Sequence, residues 1–160
     1  AKWMAAGQPR EVLTVDQPAD GAYLYMRLLK ENPERAKEVF DRLSWNGGGA
    51  NSSGVGISNI DTQGNVHPDQ FWQTLTLGNV KDRPFSDIWR NSTHPILAGL
   101  RNRLPLLEGK CGICRFKGLC GGGFRVRAEQ VHGNHWAEDP ACYLSEEEVR
   151  PDPSPEMATA

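Results

Sequence analysis

The sequence predicts an α+β fold in which helices precede a small β-hairpin region and a cysteine-rich segment. Residues 20–44 carry apolar side chains at helical spacing, and short β-branched runs separated by turn residues follow between positions 55 and 80. The cysteines all fall in the last third of the chain and are Cys111, Cys114, Cys120 and Cys142. We therefore expect short strands and helices arranged around a site that the cysteines build.

Composition argues against two classes of partner. Charged residues make up 24% of the chain and the formal net charge is −2, so no overall field favours nucleic acid. No apolar run approaches the roughly 20 residues that cross a bilayer, and the first residues show no secretory signal. We predict a soluble, cytoplasmic protein that binds neither nucleic acid nor a membrane.

The first 46 residues follow a helix–strand–helix pattern, as at the end of an α/β unit. The strand is predicted at residues 11–16, which are rich in β-branched side chains. The first long helix begins near Asp20, and its predicted buried face comprises Leu24, Leu28 and Leu29. Asn32 is expected to cap the next helix, which has proline in its first turn.

Residues 55–68 predict a β-hairpin. Strands at 55–60 and 65–68 flank a turn that begins with Asp61 and ends with Gly64, as a type I turn prefers. Further predicted elements are an extended piece at 77–80 and helical turns at 84–89, 95–100 and 124–131. In the last of these, the i,i+4 spacing predicts an ion pair between Arg125 and Glu129.

The cysteines have the spacing C-x2-C-x5-C-x21-C. The two residues between Cys111 and Cys114 let both thiolates face one centre, and the glycines at 121–123 let the backbone pass close to it. Four cysteines without an export signal favour a metal over disulfides, and a C-x2-C pair suits an unstrained disulfide poorly. Four thiolates fit either a tetrahedral zinc ion or an iron–sulfur cluster.

The spacing favours an iron–sulfur cluster over zinc. Structural zinc sites usually pair two knuckles, each with a short C-x2–4-C spacing. Here the third cysteine lies further along and Cys142 is isolated, so there is no second knuckle. A zinc-binding interaction module without a redox role remains open as an alternative.

Residues 55–142 resemble the C-terminal auxiliary-cluster domain of radical SAM enzymes, of the SPASM or twitch type. The family pattern includes a hairpin element, similar to residues 64–69 here, and the C-x2-C-x5-C run with a distant final cysteine. It also has three further cysteines, but Asp69 and Phe124 stand at two of those positions and residues 48–54 contain none. The resemblance implies one auxiliary [4Fe-4S] cluster, ligated by Cys111, Cys114, Cys120 and Cys142.

A closer resemblance is to the radical SAM enzymes that modify tetrapyrroles. It is carried by residues 45–49, 64–72, 77–80, 124–129 and 136–144. The sequence looks most like the NirJ type of haem d1 biosynthesis, and the AhbC and AhbD types of the sirohaem-dependent haem pathway share most of these motifs. The resemblance implies that residues 1–46 end a partial (β/α)6 barrel, that 47–150 form the SPASM/twitch domain and that 151–160 are a disordered tail.

By resemblance, the parent enzyme cleaves S-adenosylmethionine at a second [4Fe-4S] cluster and abstracts hydrogen from a propionate of an iron tetrapyrrole. The haem d1 type would remove propionates from a sirohaem-derived tetrapyrrole, whereas the AhbD type would decarboxylate those of Fe-coproporphyrin. The C-x3-C-x2-C motif of that second cluster is absent from these residues, so we expect a fragment that is inactive alone. Implied partners are its own N-terminal barrel, the tetrapyrrole and an electron donor. A radical SAM peptide maturase is the remaining alternative.

The resemblance also implies residues that bind substrate, because tetrapyrrole carboxylates need cationic partners. We predict this role for His67, Asp69, Arg125 and Arg127. The alternatives are a half-buried strand residue for His67, a turn cap for Asp69 and solvated or salt-bridged groups for the arginines.

Overall fold

The structure is a computed structural model that describes residues 6–8, 16–45 and 52–151. Most of the strand predicted at 11–16, and most of the tail predicted from residue 151, lie outside the described residues. Residues 46–51, which include most of the motif at 45–49, lie outside them as well.

The described elements alternate between short helices and a small sheet. In chain order they are α1 (Ala19–Glu31), α2 (Pro33–Trp45), β1 (Asn59–Ile60), β2 (Asn65–His67), β3 (Gly78–Asn79), α3 (Phe85–Arg90), α4 (Pro95–Arg101), a 3₁₀ helix (Leu104–Leu106), α5 (Gly109–Ile113), α6 (Lys117–Cys120), α7 (Arg125–His132) and α8 (Glu146–Val149). This mixture of helices with an antiparallel sheet agrees with the predicted α+β class.

Helix α2 starts where the sequence predicts. The backbone N–H of Arg35 donates to Oδ1 of Asn32 at 3.0 Å, which is the expected N-cap bond. The predicted buried face of α1 is wrong, because Leu24 and Leu29 are 48% and 39% exposed. Its buried residues are Ala19, Ala22 and Tyr25. Small residues on that face let the helix lie close to the segment that carries the cysteines.

Helices α1 and α2 share a hydrophobic core with the cysteine segment. That core comprises Ala19, Ala22, Tyr25, Ala36, Cys114, Phe116, Leu119, Leu144 and Val149. The Tyr25 ring lies 5.0 Å from the ring of Phe40 and 6.1 Å from that of Phe116. The boundary predicted at residue 46 stays a prediction, but the helices before it contribute directly to the wall behind the cysteines.

The sheet has the order β1–β2–β3, with antiparallel pairing throughout. Val66 in the central strand is fully buried against Leu77, Ile88 and Leu97. The turn at 61–64 is confirmed, because the N–H of Gly64 donates to the carbonyl of Asp61 at 3.0 Å. The first strand is shorter than predicted, since three successive N–H groups at 55–57 all donate to the carbonyl of Ser52 and form a turn.

A third cluster joins the sheet region to α7. Trp72 is fully buried against Leu100 and Val126. Its indole Nε1 donates to Oε2 of Glu129 at 2.5 Å, across 57 residues of sequence. The predicted Arg125–Glu129 ion pair is therefore wrong, because Glu129 takes a tryptophan as its partner. None of the helices formed by the described residues is long and apolar enough to cross a membrane.

Candidate metal centre

The four cysteines face one pocket, and none of them forms a disulfide. Cys111 and Cys114 are buried, and Cys120 and Cys142 are half-buried. The rest of the wall includes apolar side chains from α1, from the turn before α6, and from α8 and the loop before it; these are Ala19, Ala22, Phe116, Leu144 and Val149. The structure thus brings together all four residues that the sequence predicts as ligands.

Three separate segments deliver the thiols. Cys111 lies in α5 and Cys114 follows it directly as the C-cap residue. Cys120 is the last residue of α6. Cys142 comes from an irregular loop before α8, where its N–H donates to the carbonyl of Asp139 at 3.0 Å. Because these segments are short and held by tertiary contacts, their helices were not visible in the sequence pattern.

The glycine run after Cys120 brings the backbone against the site. Residues 121–123 all have left-handed backbone angles, with φ of 61°, 75° and 68°, which side-chain-bearing residues rarely adopt. A Cβ on Gly123 would lie 1.9 Å from Oδ2 of Asp139, and one on Gly122 would lie 2.7 Å from Leu107. Glycine is required here both by conformation and by space.

Three of the thiols accept hydrogen bonds from the backbone. The N–H groups of Phe116, Gly122 and Asp139 lie 3.3, 3.4 and 3.4 Å from the Sγ atoms of Cys114, Cys120 and Cys111, respectively. Such bonds stabilise thiolates and tune the potential of a metal centre that the thiolates ligate.

Burial works against the ionised form of these cysteines. It raises the pKa of the Cys111 and Cys114 thiols and raises the pKa of Cys120 to about 12, and neighbouring thiolates add to the rise. A positively charged centre reverses this preference, because it binds the deprotonated form.

The donor set fits an iron–sulfur cluster. Each iron of a [4Fe-4S] cluster takes one thiolate, and four thiols with N–H···S bonds in an apolar pocket meet that requirement. As the side chains stand, the described residues contain no group of three or more His, Cys, Asp or Glu residues that could hold a metal ion.

Lys110 connects the segment of the first cysteine to the loop of the last one. The sequence analysis did not predict this role. Its Nζ donates to the carbonyls of Cys142 and Leu144, at 2.9 Å each. Lys110 directly precedes Cys111, so its position next to a ligand was visible, but its partners lie more than 30 residues away.

His67 is buried in strand β2 and lies within the hairpin. Its Nδ1 is 2.7 Å from the carbonyl of Leu75, and its Nε2 is 3.3 Å from Oδ2 of Asp61. Only 1% of the residue is exposed. The predicted role in substrate binding stays a prediction.

Asp69 caps a turn, as the alternative reading has it. Its Oδ1 accepts the backbone N–H groups of Phe71 and Trp72 at 2.8 and 2.9 Å, and its Oδ2 accepts the hydroxyl of Ser53. The residue is 1% exposed. These bonds occupy both carboxylate oxygens inside the protein, and a substrate role for Asp69 likewise stays a prediction.

Arg127 lies at an open pocket beside the cysteines. Its guanidinium forms a fork with Asp139, at 3.0 and 2.6 Å, and stacks 4.9 Å from the ring of Phe124. The pocket has a volume of about 320 Å³ and is lined by Asp16, Phe71, Phe124, Val126 and Arg127. Among the four residues predicted to bind substrate, Arg127 is the one found lining a described pocket.

Arg125 lies inside the protein beside the cysteine segments. It is fully buried, and its guanidinium donates to the carbonyls of His135 at 3.2 Å, Ala137 at 2.5 Å and Gly122. The predicted role of Arg125 in substrate binding also stays a prediction. The guanidinium contacts the backbone around the cysteines.

Comparison with known proteins shows that the sequence is similar to tetrapyrrole enzymes. Fe-coproporphyrin III synthase of Methanosarcina barkeri is 56% identical over 146 residues, which cover 89% of this chain and 36% of the relative. Pre-heme d1 synthase of Dinoroseobacter shibae is 46% identical over 143 residues, covering 89% and 35%. The chain is homologous to part of the radical SAM tetrapyrrole-modifying enzymes. This confirms the resemblance read from the motifs.

The similarity extends more weakly to a third kind of enzyme. AdoMet-dependent heme synthase of Nitratidesulfovibrio vulgaris is 37% identical over 98 residues, 61% of this chain and 25% of the relative. The chain thus spans about a third of the length of the first two relatives. No protein-family model and no solved structure matches it.

Proposed function

We propose that this chain forms the C-terminal part of a radical SAM enzyme that modifies an iron tetrapyrrole in the cytoplasm. Residues 47–150 would be its SPASM/twitch domain and residues 1–46 the end of its barrel. The auxiliary [4Fe-4S] cluster would be held by Cys111, Cys114, Cys120 and Cys142. The observation that supports this most directly is the convergence of those thiols on one apolar pocket.

When bound, such a cluster supplies one-electron transfer. The chain's own residues would protect and tune the centre. The apolar wall limits access of water to the thiolates, and the three N–H···S bonds stabilise negative charge on sulfur. S-adenosylmethionine and a second cluster would belong to the N-terminal barrel, and an electron donor completes the proposed set of partners.

Arg127 would receive a carboxylate of the tetrapyrrole. Its bonds to Asp139 and Asp16 use three of its N–H groups, and a guanidinium has further donors. The rings of Phe71 and Phe124, in edge-to-face contact at 5.4 Å, offer apolar surface beside it. A ligand there would be linked to the Cys111 thiol through Asp139, which contacts both Arg127 and Cys111.

Two products are candidates for this enzyme family. The sequence motifs look most like the haem d1 type, which would remove propionates from a sirohaem-derived tetrapyrrole. The relative named Fe-coproporphyrin III synthase is more similar, at 56% against 46% identity for the pre-heme d1 synthase. We therefore favour formation of Fe-coproporphyrin III, with formation of pre-haem d1 as the second candidate.

The metal is tested by anaerobic reconstitution of the chain with iron and sulfide. We expect a brown protein that absorbs broadly in the visible and holds about four irons. Cys114→Ala should lose most of that iron. Leu119→Ala is the matched control, because it removes a side chain from the same core without removing a thiol. A colourless protein with stoichiometric zinc, or full iron in Cys114→Ala, would contradict the assignment.

The reaction is tested with the whole enzyme, S-adenosylmethionine, a reductant and a sirohaem-derived tetrapyrrole under anaerobic conditions. Mass spectrometry of the products should show Fe-coproporphyrin III. Pre-haem d1 as the product would support the second candidate. An enzyme that neither binds nor changes any tetrapyrrole, but modifies a peptide, would overturn the proposal in favour of a peptide maturase.

A further inference from the structure

Arg125 is a buried cation next to the cysteine pocket. It opens helix α7 and has no exposed surface. Taking a guanidinium out of water costs several kcal/mol unless hydrogen bonds and negative charge compensate for it. Its three carbonyl acceptors supply the hydrogen bonds, but Nε is buried without a partner among the described residues. The side chain must therefore be held for a reason other than simple packing.

The carbonyls that Arg125 binds belong to the same backbone segments that contact the thiols. Gly122 accepts from Arg125 through its carbonyl and donates its N–H to Sγ of Cys120. Ala137 accepts from Arg125 at 2.5 Å, and two residues later Asp139 donates its N–H to Sγ of Cys111. One guanidinium thus fixes the two segments from which two of the N–H···S bonds come.

The Asp139 carboxylate and the thiols of Cys111 and Cys120 are neighbours of Arg125. Burial lowers the pKa of Arg125, and the charges of Cys111, Asp139 and Cys120 oppose that fall. The Asp139 carboxylate already forms a fork with Arg127. The Cys111 and Cys120 thiols are connected to Arg125 through the backbone at Asp139 and Gly122, so a centre that they ligate would lie close to this guanidinium.

We infer that Arg125 is a positioning residue for the metal centre, which holds in place the backbone whose N–H groups donate to Cys111 and Cys120 and raises the reduction potential of the bound cluster. This inference rests on the proposed [4Fe-4S] cluster. Gaining an electron makes the centre more negative, and a buried positive charge nearby stabilises that state.

Two variants separate the charge of Arg125 from the geometry of its guanidinium. Arg125→Met removes both, whereas Arg125→Lys keeps a charge but lacks the planar group whose two amino groups reach carbonyls in separate segments. Arg103→Met is the matched control, because Arg103 is also a buried arginine, yet its bonds go to the carbonyls of Leu100 and Ser53. All would be reconstituted anaerobically, titrated for midpoint potential by EPR, and challenged with an iron chelator.

We expect Arg125→Met to lower the midpoint potential and to reduce iron retention roughly tenfold or more. Arg125→Lys should keep most of the potential and lose iron faster than the wild type. Arg103→Met should leave the potential near that of the wild type, even if the protein is less stable. An unchanged potential in Arg125→Met, or an equal shift in Arg103→Met, would overturn the inference.

If Arg125→Met holds no cluster at all, iron retention in Arg125→Lys tests the positioning role of Arg125. Wild-type iron retention in that variant would contradict the positioning role. A wild-type chain that assembles no cluster overturns the proposed function and this inference together. If the wild-type chain assembles a cluster, and the Arg125 variants keep its midpoint potential and iron retention, only the inference about Arg125 is overturned.

Discussion

The backbone N–H of Asp139 lies 3.4 Å from Sγ of Cys111. The carboxylate of the same residue pairs with Arg127 and also accepts the N–H of Ala141 at 3.0 Å. Asp139 therefore links the first cysteine, the open pocket beside Arg127 and the loop that leads to Cys142. Because it is only 4% exposed, these bonds are shielded from water.

Asp139→Asn should destabilise the protein by about 1–3 kcal/mol, because Arg127 loses a charged, buried partner. Urea unfolding of the apoprotein at neutral pH measures this change. Asp41→Asn is the control, since Asp41 pairs with Lys37 on the surface, where both side chains are more than half exposed. That change should cost about 1 kcal/mol or less. Equal losses in the two variants would show that Asp139 has no special role.

Gly123→Ala tests the close approach of the backbone to Asp139. The new Cβ would lie 1.9 Å from Oδ2 of Asp139 at a φ of +68°. We expect a loss of about 2 kcal/mol or more, since the left-handed conformation alone costs roughly 1–2 kcal/mol. Gly118→Ala is the control, because it lies in α6 with nothing within 4 Å of the added Cβ. The prediction fails if thermal unfolding gives both variants the same midpoint.

Local features of this fold were predictable, because their partners are close in sequence. The turn between Asp61 and Gly64 and the cap at Asn32 form as expected. The cysteine spacing likewise indicates a shared site, since the four thiols line one pocket. In each case, residue type and short spacing carry the physical information.

Long-range partners were not predictable from such patterns. Spacing along α7 pairs Arg125 with Glu129, but Trp72 reaches Glu129 from 57 residues away. Arg125 then binds carbonyls, which every residue has and which no sequence pattern marks. The buried face of α1 was missed for a related reason, because small side chains are buried there where the cysteine segment packs closely.

Asp61 gives the hairpin a pH dependence. The side-chain amide of Asn65 donates to Oδ2 at 2.9 Å, and this bond, with backbone N–H groups and His67, lowers the pKa of Asp61 below its usual 3.8. A lowered pKa in the folded state means that ionised Asp61 stabilises the protein above its unfolded pKa. This contribution is lost as the pH falls from about 5 toward 1.

Asp61→Asn should therefore be less stable than the wild type at neutral pH, and the difference should shrink as the pH falls below about 4. Urea unfolding at a series of pH values checks this. Asp82→Asn, at an exposed position after β3, should show no such convergence. A constant gap between Asp61→Asn and the wild type across the acid range would contradict the assignment.

Lys110 should control how firmly the last ligand is held. Its Nζ bonds the carbonyls of Cys142 and Leu144, so Lys110→Met leaves two carbonyls without their charged donor and frees the Cys142 loop. We expect about 1–3 kcal/mol less stability and faster loss of iron to a chelator. Lys110→Arg should lose less stability and release iron more slowly than Lys110→Met, because a guanidinium can still donate to both carbonyls.

Lys117→Met is the matched control for Lys110. Lys117 also lines the pocket, but its Nζ donates to the carbonyl of Gly112 at 2.8 Å, within the segment that carries the first three cysteines. Its loss should leave the Cys142 loop in place and change iron release less. If Lys110→Met and Lys117→Met release iron at the same rate, the pocket responds to lost positive charge in general. If Lys117→Met releases iron more slowly than Lys110→Met, the hydrogen bonds between Lys110 and the Cys142 loop hold the fourth ligand in place.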